Sequence, residues 1–114
     1  MGIRALDKIN GSHLYILDEQ GKPVQETDIL RWAEWMEQTE RHVAEDYIGS
    51  IRISTVFLGL DHSFIGGTPV LYETMIFGAQ YDGYQRRYHT RDEALRGHSE
   101  ALLLAKGGIG VDNG

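Results

Sequence analysis

The chain has 114 residues, 41% hydrophobic and 25% charged, with no cysteine and a net charge of −6. That length serves one domain with its own core, and the missing thiols exclude a disulfide framework, a thiolate nucleophile and any sulfur-bound zinc. The acidic balance argues against general nucleic-acid binding, which needs clustered Lys and Arg to neutralise phosphate.

No apolar run approaches the roughly 20 residues of a membrane helix. No signal-peptide pattern follows Met1, so the expected location is the cytoplasm. Residues 1–11 carry little pattern. His13 to Leu17 (HLYIL) and Pro23 to Glu26 (PVQE) flank the turn sequence DEQGK and read as a β-hairpin. Pro23 cannot donate to a ladder, which puts its strand at an edge.

A first helix is predicted from about Ile29 to Asp46, capped by Thr27 or Asp28. Ile29, Trp32, Ala33, Met36 and Val43 recur at helical spacing as its inward stripe, with Trp35 beside it and Gly49 as the stop. Trp32 and Trp35 read as core or interface aromatics. Glu34, Glu37 and Glu45 fall on the wet side. Such a face is commonly just solvated; the sharper reading is a contact surface for a basic partner.

Ser50 to Leu60 and Pro69 to Gly78 are predicted as the two central strands. Ile51, Ile53, Thr55 and Phe57 share one face of the first; Ser54, Val56, Leu58 and Leu60 share the other. In the second, Val70, Tyr72 and Ile76 oppose Leu71, Met75 and Phe77. Both faces are substantially apolar, so one is expected to take the helices and the other a second subunit, making a homodimer.

Tyr84 to His89 reads as a short last strand. Thr90-Arg91-Asp92-Glu93 is a capping box, and the second helix is expected to reach about Ala105. Gly97 inside it costs about 1 kcal/mol against Ala, which suggests close approach of a backbone or a ligand. Residues 107–114 read as a flexible glycine-rich tail after a single domain at 1–106. The order β-β-α-β-β-β-α gives an α+β fold, an antiparallel sheet with two helices on one face.

The strings STVFLGLDH, PVLYETMIFG and RYHTRDEALRGH resemble a family of short uncharacterised proteins of bacteriophages and bacteria. The similarity runs from about Trp32 to Ala105. It implies phage or prophage origin and no particular activity.

Asp61 and His62 end an apolar strand before Gly66 and Gly67, and a carboxylate beside an imidazole suits acid–base work or a metal. Glu73 lies among apolar neighbours and needs a partner, for which Arg52 and His98 are the candidates. Asp61, His62, Glu73 and His98 together could line one small-molecule pocket or supply N and O ligands for zinc, manganese or iron, although their spacing matches no metal motif. The plainer reading makes Asp61 a turn former, His62 a loop residue, Glu73 half of an ion pair and His98 a satisfied core histidine. Tyr84, Arg86, Arg87 and Tyr88, with Tyr81 nearby, could stack on a base and pair with a phosphate, or could simply pack in a strand.

With no cofactor motif, the expected function is a small non-enzymatic binding protein of phage or prophage origin. It would blunt a host defence in the bacterial cytoplasm, by binding a defence protein or by sequestering a nucleotide signal. The alternatives are a metal-assisted hydrolase built on the Asp/His/Glu cluster and a structural accessory of the phage particle.

Overall fold

The computed structural model describes residues 13–63 and 66–110. They form an α+β fold with two antiparallel sheets, of two and four strands. The order is β1 (Tyr15–Leu17), β2 (Pro23–Gln25), α1 (Ile29–Gln38), β3 (His42–Ile48), β4 (Ile51–Phe57), β5 (Tyr72–Phe77), β6 (Gln85–Tyr88) and α2 (Arg91–Gly110). The chain divides into two compact units, one running through Arg41 and resuming at Gly59–Pro69, the other comprising His42–Leu58 and everything from Val70 onward.

In the first unit, β1 and β2 form a hairpin with Leu17 opposite Pro23. Asp18 closes its turn by accepting from the amides of Gln20 (2.9 Å) and Lys22 (2.8 Å). Helix α1 starts where Asp28 Oδ1 accepts from the amides of Leu30 (3.0 Å) and Arg31 (3.3 Å), two donors that the first turn would otherwise leave unpaired. Gly59 organises the rest. Its carbonyl accepts from Trp32 Nε1 (2.8 Å) and from the Tyr15 amide (3.0 Å). Its φ is +75°, a conformation that strains any side chain, and a Cβ there would lie 2.4 Å from Met36 Sδ and push the methionine tip aside.

Helix α1 stops at Gln38, eight residues before the predicted Asp46. Thr39 is already extended (φ −109°, ψ 135°), and His42–Ile48 is a strand paired with β4. Val43 continues the helical spacing of Ile29 and Met36 by coincidence of period. From Ala44 onward the period is 2, with Ala44, Asp46 and Ile48 on one face and Glu45 and Tyr47 on the other. Gly49, predicted as a helix stop, sits with φ +59° in the two-residue turn from Ile48 to Ile51. The element order therefore gains a strand. Ala33, assigned to the inward stripe, is exposed.

The second unit is the sheet β3-β4-β5-β6 with α2 packed on one face. Registers pair Ile53 with Ile76 and Phe57 with Tyr72, so the two predicted central strands are central and adjacent. Ile51, Ile53 and Ile76 bury against Ala101 and Ala105 of α2. Small side chains on the helix let it approach the sheet closely, and each buried isoleucine contributes about 1.5–3 kcal/mol. The capping box forms: Thr90 Oγ1 accepts from the Glu93 amide (3.1 Å), and Glu93 Oε1 accepts from the amides of Thr90 (3.3 Å) and His89 (2.9 Å). The helix continues through Gly107 to Gly110, past its predicted end, because no proline breaks the ladder. The last four positions of the expected tail, and the first twelve of the chain, lie outside the described residues.

The close approach at Gly97 is made by a side chain. A Cβ there would sit 2.0 Å from Tyr88 Oη and 2.2 Å from its Cζ. Helix propensity favours Gly97→Ala by about 1 kcal/mol, whereas forcing a methyl into a filled site costs about 1–3 kcal/mol. Thermal denaturation of Gly97→Ala is expected to show a lower Tm, with Tyr88→Ala in the same chain recovering part of the loss. A Tm equal to or above that of the parent would mean the ring moves aside freely.

Candidate functional site

The most connected polar group in the second unit crosses the sheet under α2. Strand register places Thr55 of β4 opposite Thr74 of β5, both facing the helix. Their hydroxyls lie 2.5 Å apart. Thr55 Oγ1 is also 2.7 Å from His98 Nδ1, and His98 Nε2 is 2.8 Å from Asp46 Oδ2 on β3. Thr55 and Thr74 are 0% exposed and His98 5%. Hydroxyl, imidazole and carboxylate are the parts of an acyl-transfer triad. Here the hydroxyl is sealed between sheet and helix, so the chain acts as a tie between β5, β4, α2 and β3. His98 is thus a satisfied core histidine.

Reading the sequence missed three of these four side chains. Helical spacing puts Asp46 at the end of the first helix, Thr55 is placed only on a strand face, and Thr74 is not singled out. A polar residue on the inward face of an apolar strand was the available signal, but its partner depends on register.

Glu73 points to the opposite face, one residue along from Thr74. It is 8% exposed, and its Oε2 accepts from Gln85 Nε2 (2.6 Å) and Arg87 Nε (3.0 Å). Neither predicted partner is used. Arg52 pairs with Glu45 at 2.5 Å and lies over the Phe77 ring, 5.2 Å from its centre. Its Nη2 also donates to His42 Nε2 (3.3 Å). His98 faces Asp46 across the sheet from Glu73. The expected convergence of Glu73 and His98 on one pocket does not occur.

Asp61 and His62 belong to the first unit. Asp61 closes a turn on Ser63, accepting from its amide (2.9 Å) and its Oγ (3.0 Å). His62 Nδ1 donates to the Leu60 carbonyl (2.8 Å), which leaves Nε2 as the basic nitrogen. Burial pushes the Tyr15 phenol up, and the negative charge of Asp61 adds to it. Among the described residues no three His, Cys, Asp or Glu side chains gather where a metal could be held.

Strand alternation also divides the aromatic–basic patch. Arg87 joins Glu73 on the outer face, whereas Arg86, in register with Thr74, faces α2 and reaches Glu100 (3.8 Å). The two guanidinium groups diverge from one phosphate. Tyr81 and Tyr84 pack on the isoleucine core, and burial raises the Tyr88 phenol above its ordinary value.

The outer sheet face alternates Val56, Met75 and Phe77 with Ser54, Arg52 and Glu73, and its two ion pairs span neighbouring strands. It is more polar than the apolar alternation had suggested, which removes much of the physical reason for a covering subunit.

The acidic residues divide as well. Glu34 and Glu37 are on α1, whereas Glu45 is on β3 and occupied by Arg52. On α1 they line an open groove of about 480 Å³ with Asp28, Leu30, Arg31 and Ala33. No helix among the described residues is long and apolar enough to cross a membrane.

Comparison with protein-family models, with curated proteins and with solved structures finds no match for this chain.

The two polar clusters differ in cost. His98→Ala takes the imidazole from the buried Thr55 hydroxyl and is expected to lose about 1–3 kcal/mol in chemical denaturation, while Asp46, its side chain 48% exposed, turns to water. Glu73→Ala is expected to lose about 1 kcal/mol or less, since its partner Arg87 keeps a side chain 35% exposed to screening solvent. The reverse order would move the structural centre to the outer face.

The capping box sets a pH dependence. Backbone donation from His89, and then from Thr90, holds the Glu93 carboxyl below its ordinary value of 4.5. A folded-state value that is lowered stabilises fully above the unfolded value and is lost as pH falls through the folded one. Acid is therefore expected to loosen the first turn of α2, visible as shifts of the His89 and Thr90 amides, and Glu93→Gln to remove that titration. Amides that ignore pH in the carboxylate range would show that the cap is not made.

Proposed function

We propose that the chain is a small non-enzymatic binding protein of phage or prophage origin, blunting a host defence in the bacterial cytoplasm by occupying a defence protein through α1. The observation that carries this reading is the groove on that helix. Leu30 is 79% exposed, and the carboxylates of Asp28, Glu34 and Glu37 surround it with Arg31 as the one cation of the lining. An exposed apolar anchor within an acidic rim suits a basic protein surface, such as one that normally holds nucleic acid.

The side chains of catalytic type lend support. Thr55, His98 and Asp46 bond to one another beneath α2, and Glu73 to Gln85 and Arg87. Sequestration of a nucleotide has less support, because Arg86 and Arg87 leave the strand on opposite sides. A hydrolase has less again, because Glu73 and His98 do too.

The test is phage plating on bacteria that carry a defence system and produce this chain. Glu34→Lys with Glu37→Lys is expected to abolish the gain in plaques. The melting curve should stay within about 0.5 kcal/mol of the parent, as exposed substitutions usually do. A gain that survives the double reversal excludes α1 as the contact; no gain from the parent chain against any defence system tried removes the proposal.

A further inference from the structure

The Thr74–Thr55–His98–Asp46 chain permits one order of protons when His98 is neutral. A carboxylate only accepts, so the nitrogen facing Asp46, Nε2, carries the hydrogen. Nδ1 is then an acceptor, and the Thr55 hydroxyl, 2.7 Å away, donates to it. Having spent its hydrogen, Thr55 Oγ1 accepts from Thr74 Oγ1. Donation runs in one direction, from Thr74 through Thr55 and His98 to Asp46.

A proton added at Nδ1 inverts part of that order. Nδ1 becomes a donor to Thr55 Oγ1, and the Thr55 hydrogen must turn to Thr74 Oγ1. The Thr74 hydrogen then needs a new acceptor. Tyr88 Oη is buried on the same face and, among the described residues, meets no partner at full hydrogen-bond geometry. The Thr74 hydroxyl is nonetheless its side-chain hydrogen-bonding neighbour, an interaction that pulls the phenol down against the upward push of burial, so the acceptor already stands within reach of the Thr74 hydrogen.

The geometry points to a proton-operated switch, in which protonation of His98 reverses the two threonine hydroxyls and hands the Thr74 hydrogen to Tyr88. The bond from His98 Nε2 to Asp46 is common to both states, so α2 stays tied to β3. What changes is the hold on Tyr88, the ring that fills the space left by Gly97. Acid therefore acts on the contact between β6 and α2.

The other groups facing His98 are few. Among the described residues, β3 contributes Asp46, β4 no ionisable side chain, β5 the Tyr72 phenol, and β6 Tyr88 and Arg86, the last engaged by Glu100 of α2. No second carboxylate on these strands competes for the imidazole.

The test is long-range proton–nitrogen NMR of the full chain from about pH 8 to about pH 5, the range in which histidine changes charge. At the alkaline end His98 is expected to carry its hydrogen on Nε2, with a slowly exchanging Thr55 hydroxyl proton bonded to Nδ1. As the second nitrogen is protonated, the Tyr88 ring signals should move with the same midpoint. Tyr88→Phe keeps the ring against Gly97 but removes the last acceptor, so protonation of His98 should need lower pH in the variant than in the parent. A neutral His98 with its hydrogen on Nδ1 overturns the proposal. So does a His98 that gains no proton before the chain unfolds, or one whose titration leaves Tyr88 still and is unchanged by Tyr88→Phe.

Discussion

The second unit depends on one requirement: two threonines and a histidine buried between sheet and helix must all find hydrogen-bond partners. An unpaired polar group in that position costs about 1–3 kcal/mol, more than most single contacts return. The chain from Thr74 to Asp46 meets the requirement by drawing on four elements at once. A slip of β4 by one residue that turned Thr55 outward and brought Val56 under the helix would leave His98 without its donor. Register, helix position and the edge strand β3 are thereby fixed together. Apolar packing of Ile51, Ile53 and Ile76 supplies the larger share of the energy, yet it tolerates shifts that the polar chain does not.

The same interface explains the composition of α2. Ala94, Gly97, Ala101 and Ala105 face the sheet, each small enough for the helix to sit low over β4 and β5. Gly97 yields its side-chain volume to Tyr88, so a position that weakens the helix locally admits the one large ring of β6 on that face. The capping box then offsets part of the helical cost at the other end of the first turns. The outer face follows a different rule. There, Glu45–Arg52 and Glu73–Arg87 tie neighbouring strands by charge, and Arg52 covers the Phe77 ring.

Three of the residues that looked available for chemistry make structural bonds. Asp61 makes a turn with Ser63, Glu73 bridges β5 to β6, and His98 ties α2 to β3 and β4. The first unit places its acidic side chains differently, along a helix with no fully buried residue and an open groove. The proposed contact through α1 rests on that contrast.

Local physics was legible in the sequence wherever a short segment determines its own structure. Thr90 and Glu93 can satisfy each other's amides without help from the rest of the chain, and Asp28 can cap α1 alone. The two apolar runs around Gly66 and Gly67 had to be buried strands, and the α+β class followed from them. The plain readings of Asp61 and His98 were also available from residue type and setting. Tertiary structure decided the rest. His42–Ile48 carries enough helical spacing to extend α1, and only pairing with β4 makes it a strand, because the ladder and the inward Ala44, Asp46 and Ile48 outweigh weak helix propensity. The partners of Glu73, the divergence of Arg86 from Arg87 and the placing of Thr55 opposite Thr74 all rest on register. Register is a relation between strands distant in sequence, so no single segment could contain it.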